Sequence, residues 1–174
     1  MSFKAEVKAS VGWNWSEGAV DNDRLDYAER LLDGNGDNQA EAVWHAEDQT
    51  LLDATSITLD LTNLTRTVLG DTHTVTFLTV KALLIVNRSS SGGQLLLGGA
   101  ATEEWSEPFG ADGDQLAVPP DSPLLLANRQ AGWNVDEENK NLKLAASGGD
   151  VTYSIAVVGT ITAPGSGSGS GSGA

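Results

Sequence analysis

Residues 74–87 read TVTFLTVKALLIVN. The stretch is almost continuously apolar, so periodicity alone leaves a buried helix and a buried strand as rivals. Its residue types decide between them. Threonine and valine are β-branched and suit a pleated surface better than a helix. The stretch is therefore predicted to be a strand buried on both faces, inside a layered β structure. VTYSIAVVGT at 151–160 repeats the pattern.

Working outward, shorter β signals surround this pair. Ile57, Leu59 and Leu61 alternate with Thr58 and Asp60, and AVWHAED at 42–48 is a further strand candidate. At the N-terminus Phe3, Ala5, Val7, Ala9 and Val11 share one face, while Lys4, Glu6, Lys8 and Ser10 share the other. This period of two marks a half-buried strand. The segment Trp13-Asn14-Trp15-Ser16-Glu17-Gly18 is expected to end it. Residues 21–34 fit two periods. Leu25, Ala28 and Leu32 suit a short helix, whereas Leu25, Tyr27 and Leu31 suit the favoured strand. Toward the C-terminus come QLLLGG, DQLAV closed by Pro119-Pro120, PLLLAN, GWNV and NLKLAAS, punctuated by glycine pairs at 92–93, 98–99 and 148–149. About nine or ten short strands, with turn signals every ~8–12 residues, predict an all-β sandwich or barrel. The length favours a jelly-roll β-sandwich of two antiparallel sheets over the smaller immunoglobulin type, whose Cys–Trp–Cys core is absent. A single domain is expected over residues 1–163. Residues 164–174, PGSGSGSGSGA, alternate Gly and Ser from 165 to 173 and read as a flexible linker added by expression engineering.

Bulk composition narrows the function classes. Twenty-four acidic residues against ten basic give a net charge of −14. Such a surface repels phosphate backbones, which argues against nucleic-acid and anionic-membrane partners. No apolar run approaches the ~18 residues of a membrane span, and no secretory signal is read at the N-terminus. The chain has no cysteine, hence no disulfide framework and no thiol nucleophile.

Few residues carry recognisable chemistry. Asp33, Asn35 and Asp37 alternate as in the first half of an EF-hand loop, but that loop needs Gly at its sixth position and Glu at its twelfth. Here those positions are Asn38 and Trp44. The stretch is read as a glycine-supported turn, as is the acidic turn at Gly110–Asp114. No zinc pattern links His45 and His73; the first is read as a packing residue in a strand, the second as a solvated turn residue. Glu104 and Glu107 resemble a glycosidase pair only superficially and are read as one solvated loop. With no nucleophile-elbow pattern and no phosphate loop, the expectation is a non-enzyme without catalytic residues, cofactor or metal. The five tryptophans, Trp13, Trp15, Trp44, Trp105 and Trp133, are expected at strand ends or in loops. They could stack on sugars, anchor a subunit interface or cap the ends of the sandwich, and the last two roles are favoured.

Five segments taken together carry a resemblance: NGDNQAEAVWHAEDQTL (35–51), residues 57–87, LLLGGAATEEWSEPFG (95–110), residues 114–135 and LKLAASGGDVTYSIAVVGT (142–160). This order resembles small single-jelly-roll structural proteins of tailed phages and bacterial genomes, of capsid or decoration type. The resemblance implies a self-assembling homo-oligomer, a trimer, located in a virion or virus-like particle and otherwise in the cytoplasm, and it carries over no catalytic residue. The charge favours an outer, decorating position over a nucleic-acid-lined interior. The strands buried on both faces suggest that one face is the sandwich core and the other a contact between copies. The alternatives are a carbohydrate-binding β-sandwich module using exposed tryptophans, with calcium at Asp33–Asp37, and an uncharacterised hydrolase.

Overall fold

A computed structural model describes residues 3–16, 20–90 and 92–161, with the backbone alone at 15, 16, 20, 21 and 68. The expected break at Glu17-Gly18, Ser91 and the Gly/Ser linker lie outside the described residues. Fourteen strands follow in order: β1 (Ala5–Ser16), β2 (Val20–Asp33), β3 (Gln39–Ala40), β4 (Ala42–Leu51), β5 (Ser56–Asp60), β6 (Leu64–Val68), β7 (Asp71–Val75), β8 (Thr79–Asn87), β9 (Gln94–Gly98), β10 (Gln115–Val118), β11 (Ser122–Ala127), β12 (Trp133–Asn134), β13 (Asn141–Ser147) and β14 (Val151–Thr160). Among the described residues no helix is long and apolar enough to cross a membrane.

The all-β sandwich expected from the sequence is what the chain forms. One sheet has the order β11-β8-β14-β4, with β12 also paired to β8; the other has the order β10-β9-β13-β5. The chain passes between these sheets at β4 to β5, β5 to β8 by way of β6 and β7, β8 to β9, β10 to β11, β12 to β13 and β13 to β14. Late strands therefore nest between early ones: β14 between β4 and β8, β13 between β5 and β9. The inward faces share one core, in which Leu83, Ile85, Leu95, Leu97, Leu142, Leu144 and Val151 are fully buried. Two smaller elements were not expected as separate sheets. A hairpin of β6 and β7 lies to one side, where Thr65 accepts the Trp44 indole N–H at 2.9 Å. The long β1–β2 hairpin is extended by a short parallel pairing of β2 with β3.

Residues 74–87 depart from a single strand. β7 ends at Val75, and Phe77 and Leu78 turn the chain inward, where their amides donate to the carbonyls of Leu61 and Thr160 at 3.0 and 2.9 Å. β8 then begins at Thr79. Its register with β14 shifts between Val158 and Gly159, leaving Lys81 as a bulge residue. Lys81 is buried, its ammonium donates to the Gln130 carbonyl, and burial pushes its pKa down, with Asp37 opposing. Gly159 meets the same bulge so closely that a Cβ there would lie 2.0 Å from the Thr79 carbonyl oxygen.

Three further expectations change. β1 runs through Trp13 to Ser16 instead of ending there, because β2 pairs it along its whole length. His73 lies in strand β7, where it is exposed, and not in a turn. Trp44 lies inside β4 and Trp13 inside β1, so strand-end placement does not hold for these two, while Trp15 is the last residue but one of β1.

Candidate functional site: an outer sheet face and a hairpin arm

The β11-β8-β14-β4 sheet is apolar on its inner face and over much of its outer one, where His45, Glu47 and Ser154 supply polar positions. Leu83, Ile85, Tyr153, Ile155 and Val157 point into the core. The intervening residues Ala82, Leu84, Val86, Ala156 and Val158 point out, joined by Leu125 on β11 and Val43 on β4. A solvated outer face would normally be polar, so this one needs a cover.

Part of the cover is the chain's own N-terminal hairpin. Val7, Leu31, Ala40 and Ala82 form a second buried cluster, with Phe3, Ala5, Leu125 and Val158 packed around it. The rest of the face stays open. Leu84 is 40% exposed, and a groove of about 370 Å³ runs along Val43, His45, Leu84, Val86, Arg88 and Ala156.

The hairpin continues well beyond its buried base. β1 and β2 pair from Ala5–Leu31 to Ser16–Val20. Every residue from Lys8 to Asn14 and from Asn22 to Arg30 is exposed. Alternation puts Ala9, Val11 and Trp13 on the same ribbon face as Val7, and the register adds Tyr27, Leu25 and Asp23 across from them. The apolar stripe that is buried at the base thus runs on into solvent, with Val11 66% and Leu25 71% exposed. One further tie holds the arm. Arg129, in the loop after β11, donates to the Tyr27 hydroxyl at 2.7 Å, lies 5.8 Å from its ring centroid and sits 3.6 Å from the Glu29 carboxylate.

The residues singled out in the sequence are mostly structural. In the turn at Asp33–Asp37, the Gln39 amide oxygen accepts from Gly36 N–H at 2.8 Å, and Asp33 accepts from Phe3 N–H at 3.1 Å. Gly34 has φ 130°, which only glycine adopts readily. Among the described residues no three His, Cys, Asp or Glu side chains gather as metal ligands would. In the second acidic turn, Asp114 accepts from Ala111 N–H and Asp112 from the Ser106 hydroxyl.

The reading of Glu104 and Glu107 as one solvated loop is corrected. Glu104 is buried and accepts from the backbone N–H groups of Gly99 and Gly113, pinning two loops together. Glu107 is exposed and accepts from Asn134 N–H at 2.8 Å. Trp105 is also buried, donates to the Asn134 carbonyl and meets Phe109 and Trp133 edge-on. These aromatics close one end of the sandwich.

The groove brings Ser154, His45 and Glu47 together, a combination hidden in sequence. Their bonds differ from those of a triad, in which the base takes the serine proton. The Ser154 hydroxyl oxygen accepts from Arg88 Nε at 2.8 Å and Asp48 N–H at 3.2 Å, while His45 Nδ1 lies 3.4 Å from Glu47.

Sequence reading missed the arm as a surface, although the alternation of β1 and the Leu25–Tyr27–Leu31 period were its signals. Compared with protein-family models, with curated proteins and with solved structures, the chain matches none.

Proposed function

We propose that this protein is a non-enzymatic structural subunit that assembles with copies of itself, as a ring of three, in a virion or virus-like particle. The observation that carries the reading is the outer sheet face, apolar along β8 and at Leu125, Ala156 and Val158, and covered by the chain's own hairpin over one end. Apolar area left open in this way is the usual mark of a contact surface. The nested strand order supports a jelly roll, because double Greek keys place late strands between early ones. The net charge of −14 suits an outer position away from nucleic acid.

The carbohydrate-binding alternative draws less support. Sugar stacking needs open aromatic faces; Trp13 on the arm is 41% exposed, but Trp44 and Trp105 are buried and Trp133 is partly buried against Trp105.

Light scattering tests the reading directly. A mass three times that of the 18.1 kDa chain is expected. A single-chain mass at every concentration would refute it, and tryptophan fluorescence responding to added glycans would move the assignment to the alternative.

A further inference from the structure

We infer that the β1–β2 arm of each copy lies in the outer-face groove of a neighbouring copy, so that the contact is arm into groove and not sheet against sheet. The inference rests on the self-assembly reading above and names the surfaces that carry it.

Four observations point to a second copy as the occupant. First, a two-stranded hairpin in water is marginally stable at best. This one holds its pairing out to Ser16–Val20 with its base alone packed on the body. Second, the arm's apolar stripe is continuous with an interface that the molecule already makes. Val7 and Leu31 pack on Ala82, Leu125 and Val158 of the sheet, and Val11 and Leu25 present the same chemistry further along. The open groove of Leu84, Val86, Val43 and Ala156 is the continuation of that same sheet face. Arm and groove are thus the unfinished halves of one kind of contact.

Third, the arm's base, Ala5–Lys8, borders its own groove at Leu84 and Ala156, and the arm is tied at the groove's far end. The tie to Arg129 follows the end of β11 at which Ala127 faces Ala82, whereas the open groove extends toward the other end, where Pro123 faces Val86. The exposed ribbon from Lys8 to Asn14 spans about 20 Å at the usual rise per residue. That length reaches a neighbour's body.

Fourth, the charges match. The apolar face of the ribbon carries Glu29 and Asp23. At the base, Glu29 and Tyr27 already meet the guanidinium of Arg129. Arg88 at the groove, which already donates to Ser154 and lies 3.6 Å from Asp48, is the cation that Asp23 of a neighbour's arm would share. An arm-to-groove contact joins unlike surfaces, and such a contact repeated around an axis closes into a ring.

Two variants test this beside the unaltered chain. In one, residues 10–26 are replaced by Asn-Gly, a two-residue turn that suits the register at Ala9–Tyr27. In the other, Leu25→Cys and Val86→Cys are introduced together into a chain that has no cysteine. The expected result is a threefold mass for the unaltered chain and, for the shortened one, a single-chain mass with a cooperative melt whose midpoint does not depend on protein concentration. The double-cysteine chain is expected to give a ladder of disulfide-linked chains on a non-reducing gel, while neither single-cysteine chain gives one. A threefold mass in the shortened chain, or an assembled double-cysteine chain without the ladder, overturns the arm-in-groove contact and leaves self-assembly standing. A disulfide within one chain overturns it too, because the arm would then fill its own groove. A single-chain mass for the unaltered protein removes both readings.

Discussion

Strands β8 and β14 pair from Tyr153–Asn87 to Thr160–Thr79, and strands β1 and β2 pair from Ala5–Leu31 to Ser16–Val20. Both pairs are long, antiparallel and rich in alternating apolar residues. The first lies at the centre of a sheet with a second sheet beneath it, and its inward side chains Leu83, Ile85, Tyr153 and Ile155 are almost wholly buried. The second is a ribbon two strands wide, and past its base its apolar side chains face water. The difference teaches that backbone pairing and apolar alternation make a strand but do not hide it. Burial needs a second layer, and the arm finds one within its own chain only at Val7 and Leu31. Stability should therefore reside in the body, and the arm should contribute to what the body contacts.

The sharpest way to break this contrast is to remove core volume. Leu144→Ala empties a fully buried position of the shared core and should cost about 2–5 kcal/mol of unfolding free energy, read from denaturant midpoints. A loss as small as that of a surface substitution would mean that the body is loosely packed.

Alkaline pH gives the next largest effect. Burial pushes the Tyr153 hydroxyl up to about 12. An unfolded tyrosine ionises near 10, so the unfolded state releases its proton first as pH rises. The stabilising contribution is complete below pH ~10 and is lost as the pH climbs through the folded value. The loss amounts to roughly 2–3 kcal/mol across that window. Tyr153→Phe should abolish this component of the alkaline slope, and an unaltered slope in that variant would contradict it.

Two glycines sharpen the comparison within one substitution type. A Cβ at Gly159 would sit 2.0 Å from a backbone oxygen, whereas at Gly12 in the arm its nearest neighbour is Arg24 Cγ at 3.8 Å. Gly159→Ala should destabilise by about 1–3 kcal/mol or more through overpacking. Gly12→Ala should be neutral or stabilise by up to ~1 kcal/mol, because strand glycine carries an entropic cost. Thermal melts of the two variants side by side decide the matter.

The smallest effect lies on the arm itself. Leu25→Ser, at a position 71% exposed, should change body stability by no more than about 0.5 kcal/mol. The same variant should weaken assembly in a dilution series. A large drop in melting temperature would show that the arm supports the fold of its own chain more than its exposure implies.

The sequence alone determined that the chain is all-β, since β-branched residues, period-two alternation and glycine-marked turns act over a few residues and can be read locally. It also determined that the Asp33–Asp37 segment is a turn, because two positions of the metal loop hold the wrong side chains. Tertiary structure alone decided the rest. Glu104 became a buried anchor because Gly99 and Gly113, separate in sequence, turn their amides toward it. Residues 74–87 split because Leu61 and Thr160 offer carbonyls to Phe77 and Leu78. β1 and β13 both alternate apolar residues, yet β13 buries Leu142, Leu144 and Ala146 while the stripe of β1 is buried only near its base. What lies above each strand depends on contacts across more than a hundred residues, and no local pattern encodes which apolar face is left for another molecule.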